Sequence, residues 1–217
     1  RCGKHSEDIW LEAARLHPPK VAKSILARAV NTLTTDSIQI WLRAASLEMS
    51  VKAKKNIIHK ALEVMPNSVQ LWKEAIELEE DENDARVLLS RAVEAIPQNV
   101  DLWLALARLE TYKNAKIVLN KARKQLPSEP VIWIAAAELE EANLVQSGTV
   151  ADTCVKHVQA IINKGLEQLA KYESVLNREN WIKYAKKAEE AKHIHTLNAI
   201  INSVIGWNLE ESNKKHT

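Results

Sequence analysis

Residues 67–97 read NSVQLWKEAIELEEDENDARVLLSRAVEAIP, and this stretch decides the fold. Leu71, Trp72, Ala75, Ile76 and Leu78 fall at helical spacings that cover more than one narrow stripe. A helix with that pattern is predicted to be buried on two sides, one against its own partner and one against an adjacent copy. Asn67, with Gln70 three residues on, is positioned to cap this helix as in a capping box, and Asp36 with Gln39 repeats the arrangement earlier. Acidic residues from Glu77 to Asp84 end the apolar pattern. A second helical pattern, DARVLLSRAVEAIP, then runs to Pro97, where a residue without a backbone N–H stops it. Together they read as one antiparallel helix pair.

Working outward, the same unit recurs along the whole chain. Trp10, Trp41, Trp72, Trp103 and Trp133 are separated by 31, 31, 31 and 30 residues, each in a matching neighbourhood such as WLRAASLE or WIAAAELE. A sixth copy, WIKYAKKAE, starts at Trp181, while Trp207 lies outside the register. A fixed period of this length marks stacked structural repeats. The second helices share a basic residue followed by alanine, at Ala29, Ala61, Ala92 and Ala122, and three of them end five residues later at Pro66, Pro97 and Pro127. The first copy has Thr34 there, a weaker stop. The expected fold is an all-α, right-handed α-α solenoid of about six antiparallel helix pairs. Residues 1–217 then form a single continuous repeat domain, with repeats at approximately 6–34, 36–66, 67–97, 98–127, 128–175 and 177–206. The six in-register tryptophans and the alanine and proline columns are its predicted structural core. The chain starts at Arg1 without a Met, so it is expected to be a piece of a longer array.

Glutamate recurs seven residues after tryptophan, at Glu48, Glu79, Glu110 and Glu140. A basic residue opens the next helix at Lys54, Arg86 and Lys116, so ion pairs are predicted across each hairpin turn, Glu79 with Arg86 among them. The period breaks after Trp133: the next tryptophan is 48 residues on. The intervening segment 141–180 implies an extended helix or a longer loop, with a turn at Ser147–Gly148–Thr149 and a new helix from Thr149 or Asp152.

Composition excludes several classes. Two distant cysteines, Cys2 and Cys154, build no disulfide framework and fit a reducing compartment. No apolar run is long enough for a membrane span. Eleven Lys/Arg against six Asp/Glu in residues 1–72 give way to nine against fourteen in residues 73–143. This change of sign suits protein partners of mixed charge better than one continuous nucleic-acid face. Seven scattered histidines, four glycines and no HExxH, CxxC or GxSxG motif leave no site for catalysis, a cofactor or a metal. Cys154 with His157 reads as a small buried cysteine. The tryptophans stand beside alanine and leucine at core spacing, so base stacking by them is not expected.

The unit W-x2-A-A/I-x-L-E followed by A-K/R-x-I/L…R/K-A…P resembles the half-a-tetratricopeptide (HAT) repeat. At finer grain, SEDIWLEAARL, DARVLLSRAVEAIP, IWIAAAELEEAN and above all VDLWLALARLETYKNAKIVLNKAR resemble the pre-mRNA-processing factor six family. The resemblance spans nearly the whole chain and is weakest from Ser147 to Val175. It implies a nuclear, non-catalytic splicing scaffold that contacts other spliceosomal proteins and bridges the U-five particle to the paired U-four/U-six particle. It implies no catalytic residues, and it assigns no partner contact to an individual position. RNA contact is expected to be indirect or weak, and exposed repeat ends are expected to self-associate. Two other readings are a HAT scaffold of RNA 3′-end processing, and direct RNA binding through Lys52, Lys54, Lys55 and Lys60.

Overall fold

A computed structural model describes residues 7–32, 37–172 and 178–205. Among these the chain forms twelve α-helices and no strand, an α-α solenoid of helical repeats divided into two compact units, Arg1–Ile96 and Pro97–Thr217.

The first unit holds three helix pairs: α1 (Glu7–Leu16) with α2 (Pro19–Thr32), α3 (Ile38–Ser46) with α4 (Val51–Val64), and α5 (Val69–Glu77) with α6 (Glu82–Ala95). Short connections force each pair antiparallel. Helix α2 also packs on α3 and α4 on α5, and α3 touches both α1 and α5. Two-sided burial of the first helices follows from this: Leu71, Trp72 and Ala75 are buried on α5. Between the pairs lie Ala22, Leu26, Ala29 and Ile40, with Trp10 half-buried against them. Trp41 is likewise half-buried, whereas Trp72, Trp103, Trp133 and Trp181 are buried.

Ala29, Ala61, Ala92 and Ala122 are fully buried, where the missing side chain lets the neighbouring helix approach. Their carbonyls do a second job. Those of Ala61, Ala92 and Ala122 accept the closing bond of each second helix, from the N–H of Met65, Ile96 and Leu126 at 2.8 Å. These three caps share φ near −126 to −129° and ψ of 65 to 70°, as a following proline disfavours the α region. The prolines themselves are not core. Pro66 is exposed and Pro97 and Pro127 are half-exposed, each in the turn that joins two pairs.

Two further expectations are corrected. Capping falls one residue later than Asn67: the side chain of Ser68 accepts from the N–H of Leu71, as Ser37 does from Ile40 and Asn99 from Leu102. The residue that caps must itself be extended, and Ser68 is (φ −86°, ψ 105°), while Asn67 belongs to the preceding turn. Asp36 lies outside the described residues. Three ion pairs among the described residues run from one pair to the next. Lys23 meets Glu48 at 2.8 Å, Lys55 meets Glu79 at 2.7 Å and Lys116 meets Glu140 at 2.6 Å. Lys55 is one residue beyond Lys54, and that step of 100° around the helix brings it to the face turned toward α5. Glu79 is therefore held by Lys55 of the preceding pair, where Arg86 was expected.

The second unit contains α7 (Val100–Leu109) with α8 (Tyr112–Gln125), α9 (Pro130–Gln146) with α10 (Ala151–Lys171), and α11 (Arg178–Glu190) with α12 (Ile194–Ile200), which continues as a π-helical turn to Ile205. The stretched segment is built as longer helices: α9 has 17 residues and α10 has 21, against 10 and 14 in the pair before. Gly148 (φ 68°) ends α9 in a Schellman turn, with Thr149 N–H on the Leu144 carbonyl and Gly148 N–H on that of Val145. Helix α10 then begins at Ala151 behind Val150, which offers no capping side chain. Neither Thr149 nor Asp152 is the cap; Thr149 bonds to the Ser147 hydroxyl, and Asp152 lies in the first turn, paired with Lys156. The core of this unit joins Ile134, Ala137, Cys154, Val158, Ile162, Trp181 and Ala199.

Candidate interaction surface

The indole column carries more than packing. Trp72 donates its Nε1–H to the carbonyl of Pro66 at 2.7 Å, and Trp103 donates to Pro97 at 2.9 Å. A tryptophan six residues after a turn proline thus ties the first helix of a pair to the turn that enters it. Trp133 stands at the same spacing from Pro127, yet its Nε1, buried, has no acceptor among the described residues. Its ring meets other neighbours. The Arg123 guanidinium lies over it at 4.4 Å from the centroid, and the backbone of α10 presses on it at Gly165. A Cβ at Gly165 would sit 2.9 Å from the Trp133 Cγ, so only glycine admits this approach.

Along the first helices of the second unit runs a groove of about 310 Å³, lined by Leu104, Arg108, Glu138, Tyr184, Lys187 and His193 among others. Its charges are mixed. Burial pushes the Glu138 carboxyl above its ordinary range, against the opposing pull of His193, Lys187 and Arg108. Lys187, where earlier copies carry leucine, is exposed and leaves the groove open.

One buried carboxylate fixes the last helix pair. Glu141 is 3% exposed and accepts from the backbone N–H groups of His195 (2.9 Å) and Thr196 (2.8 Å) and from the Thr196 hydroxyl (2.7 Å). It thereby satisfies orphan donors in the first turn of α12, and a negative charge there is favoured by the helix dipole. Lys192, a non-glycine at φ 62°, turns the chain out of α11 so that these donors reach it. Nothing in the repeat pattern signals Glu141, because its partners lie 54 and 55 residues away.

Cys154 is buried, and desolvation together with Glu141 pushes its thiol pKa up, away from the reactive thiolate. His157 bonds through Nδ1 to the Thr153 carbonyl at 2.9 Å instead of facing Cys154 as a base. Among the described residues there is no group of three His, Cys, Asp or Glu placed to hold a metal, and no helix long and apolar enough to cross a membrane.

No protein-family model matches the chain. Curated relatives do. The chain is 55% identical over 212 residues to the pre-mRNA-splicing factor prp1 of Schizosaccharomyces pombe, covering 98% of the chain and 22% of that protein. It is 50% identical over 60 residues to the pre-mRNA-processing factor 6 of Homo sapiens, which is 28% of the chain and 6% of the human protein. Among solved structures, a thermophilic TPR protein of Thermus thermophilus aligns over 82% of the chain and 95% of its own, at 17% identity and a TM-score of 0.41. The chain therefore spans about a fifth of the length of the fission-yeast protein it matches from end to end. It is a helical-repeat region of the pre-mRNA-processing factor six family.

Proposed function

We propose that this chain is a non-catalytic protein–protein interaction scaffold of pre-mRNA splicing, working in the nucleus. In its finest form the proposal is that it bridges the U-five particle and the paired U-four/U-six particle during tri-snRNP assembly. The carrying observation is the 55% identity, sustained over 98% of the chain, to a protein named as a splicing factor. The mixed-charge groove along the first helices supports a protein partner, since Arg108, Lys187 and Glu138 offer both signs within one surface. We also propose that residues 1–217 act as one repeat domain with repeats near 6–34, 36–66, 67–97, 98–127, 128–175 and 177–206, and that its end pairs associate with further copies.

Affinity purification of the tagged chain from nuclear extract, with sequencing of the bound small nuclear RNAs, tests the proposal. Recovery of U-four, U-five and U-six RNAs together supports it. Recovery of cleavage and polyadenylation proteins without them replaces it with the 3′-end-processing reading. Direct RNA binding is disfavoured by one feature: Lys55, central to the basic stretch, is already bound to Glu79.

A further inference from the structure

We propose that the cavity enclosed by α8, α9 and α10 is a docking site for an acidic peptide, which places a carboxylate against Arg123 and Lys164 and an apolar side chain over the floor. The cavity measures about 290 Å³, room for side chains of an extended segment but not for a folded element. Its floor is apolar, made by Leu119, Trp133, Ala136 and Ile161, and its rim carries Lys116, Arg123, His157 and Lys164 against the single carboxylate of Glu140.

That carboxylate is already used. Glu140 accepts from Lys116 and from the Tyr112 hydroxyl, and these bonds hold its carboxyl below its ordinary range although burial pushes it up. Lys116 and Glu140 therefore cancel, and Arg123 and Lys164 are left as net positive charge. No carboxylate among the described residues pairs with either. Arg123 is half-buried on the Trp133 ring, and desolvation lowers its guanidinium pKa. A cation stripped of water without a counter-ion gains most from an incoming carboxylate.

A second observation is independent of charge. Trp133, 6% exposed and among the residues lining the cavity, holds an indole N–H without an acceptor, although its counterparts Trp72 and Trp103 each have one. Buried donors of that kind are rare and costly; the nitrogen itself is out of reach of solvent, and because the ring lines the cavity this N–H reports a ligand there through its altered surroundings. Nucleic acid fits less well. With one face under Arg123 and Gly165 pressed on the ring, the indole offers no surface for a base. The inference shares with the scaffold reading only that the ligand is a peptide; it holds whichever assembly the chain serves.

The test is titration of the ¹⁵N-labelled chain with a fluorescein-labelled peptide of alternating glutamate and leucine. A lysine–leucine peptide and single-stranded oligouridine serve as comparison ligands. The expected result is a shift of the Trp133 indole N–H resonance, identified by its loss in Trp133→Phe, with the Trp72 and Trp103 indoles unmoved. Arg123→Gln and Lys164→Glu, both changes at the rim, should each weaken acidic-peptide binding about tenfold. Lys52→Gln, in the other unit, should leave it unchanged. An unmoved Trp133 resonance, equal affinity for the lysine peptide, or tighter binding of oligouridine overturns the inference. Failure here with recovery of the spliceosomal RNAs would sink this site and leave the scaffold proposal standing.

Discussion

Trp72 and Trp133 occupy the same place in the repeat and live in different surroundings. Trp72 closes a hydrogen bond to the turn that precedes its helix, and its copy keeps the 31-residue period. Trp133 gives up that bond, takes a cation on its face and a glycine backbone against its ring, and sits in the pair whose helices lengthen to 17 and 21 residues. The regular copies spend their polar groups on one another. The stretched copy spends Glu141 on the next helix and leaves the Trp133 donor and Arg123 for something else. Where a repeat array departs from its own rule is where residues cease to be needed for stacking.

The largest test of that contrast is Glu141→Ala. It removes three accepted hydrogen bonds at a buried position and should cost about 3 kcal/mol, measured by urea unfolding with amide exchange in α12 as the local readout. A loss below about 0.5 kcal/mol, within the range of ordinary surface changes, would mean that α12 docks through apolar contacts alone. Gly165→Ala comes next. Overpacking against Trp133 should exceed the helix-propensity gain and destabilise by about 1–2 kcal/mol, whereas alanine in place of an ordinary mid-helix glycine stabilises. A more stable variant would show that the ring moves aside freely.

How far the sequence carries to this point depends on the range of each interaction. The helix pairs, the buried tryptophans and the alanine column follow from spacing, because burial on a helix recurs with a period of 3.6. Asn67 and Glu79–Arg86 were near misses: each lay one residue or one helix from the truth, since capping needs a specific backbone conformation and ion pairing needs a specific helix face. Pro66 shows a different failure. Its regular placement reads as core, but Pro66 is exposed and its part is played by its backbone carbonyl, which accepts from Trp72. Glu141 and Gly165 were illegible, because one answers to residues 54 positions on and the other to a ring 32 positions back.

A smaller effect separates the two tryptophans themselves. Trp72→Phe deletes a satisfied donor and strands the Pro66 carbonyl, while Trp133→Phe deletes an orphan. The first should therefore cost about 1 kcal/mol more than the second in matched unfolding experiments, and equal losses would erase the distinction.

The smallest effect is electrostatic. With its carboxyl held below the ordinary range by Lys116 and Tyr112, Glu140 contributes stability that is present above its unfolded value, about 4.3, and lost as pH falls through the lower folded value. The stability gap between the chain and Lys116→Gln should accordingly be full at neutral pH and close in acid. A gap that ignores pH would assign the effect of Lys116 to packing.

The central claim, that the fifth copy breaks a bonding rule the third and fourth obey, is tested most directly by the indole region of a ¹H–¹⁵N spectrum of the ligand-free chain. The account predicts downfield Nε1–H resonances with weak temperature dependence for Trp72 and Trp103, and an upfield resonance for Trp133. A Trp133 resonance that matches the other two in position and temperature dependence would contradict it.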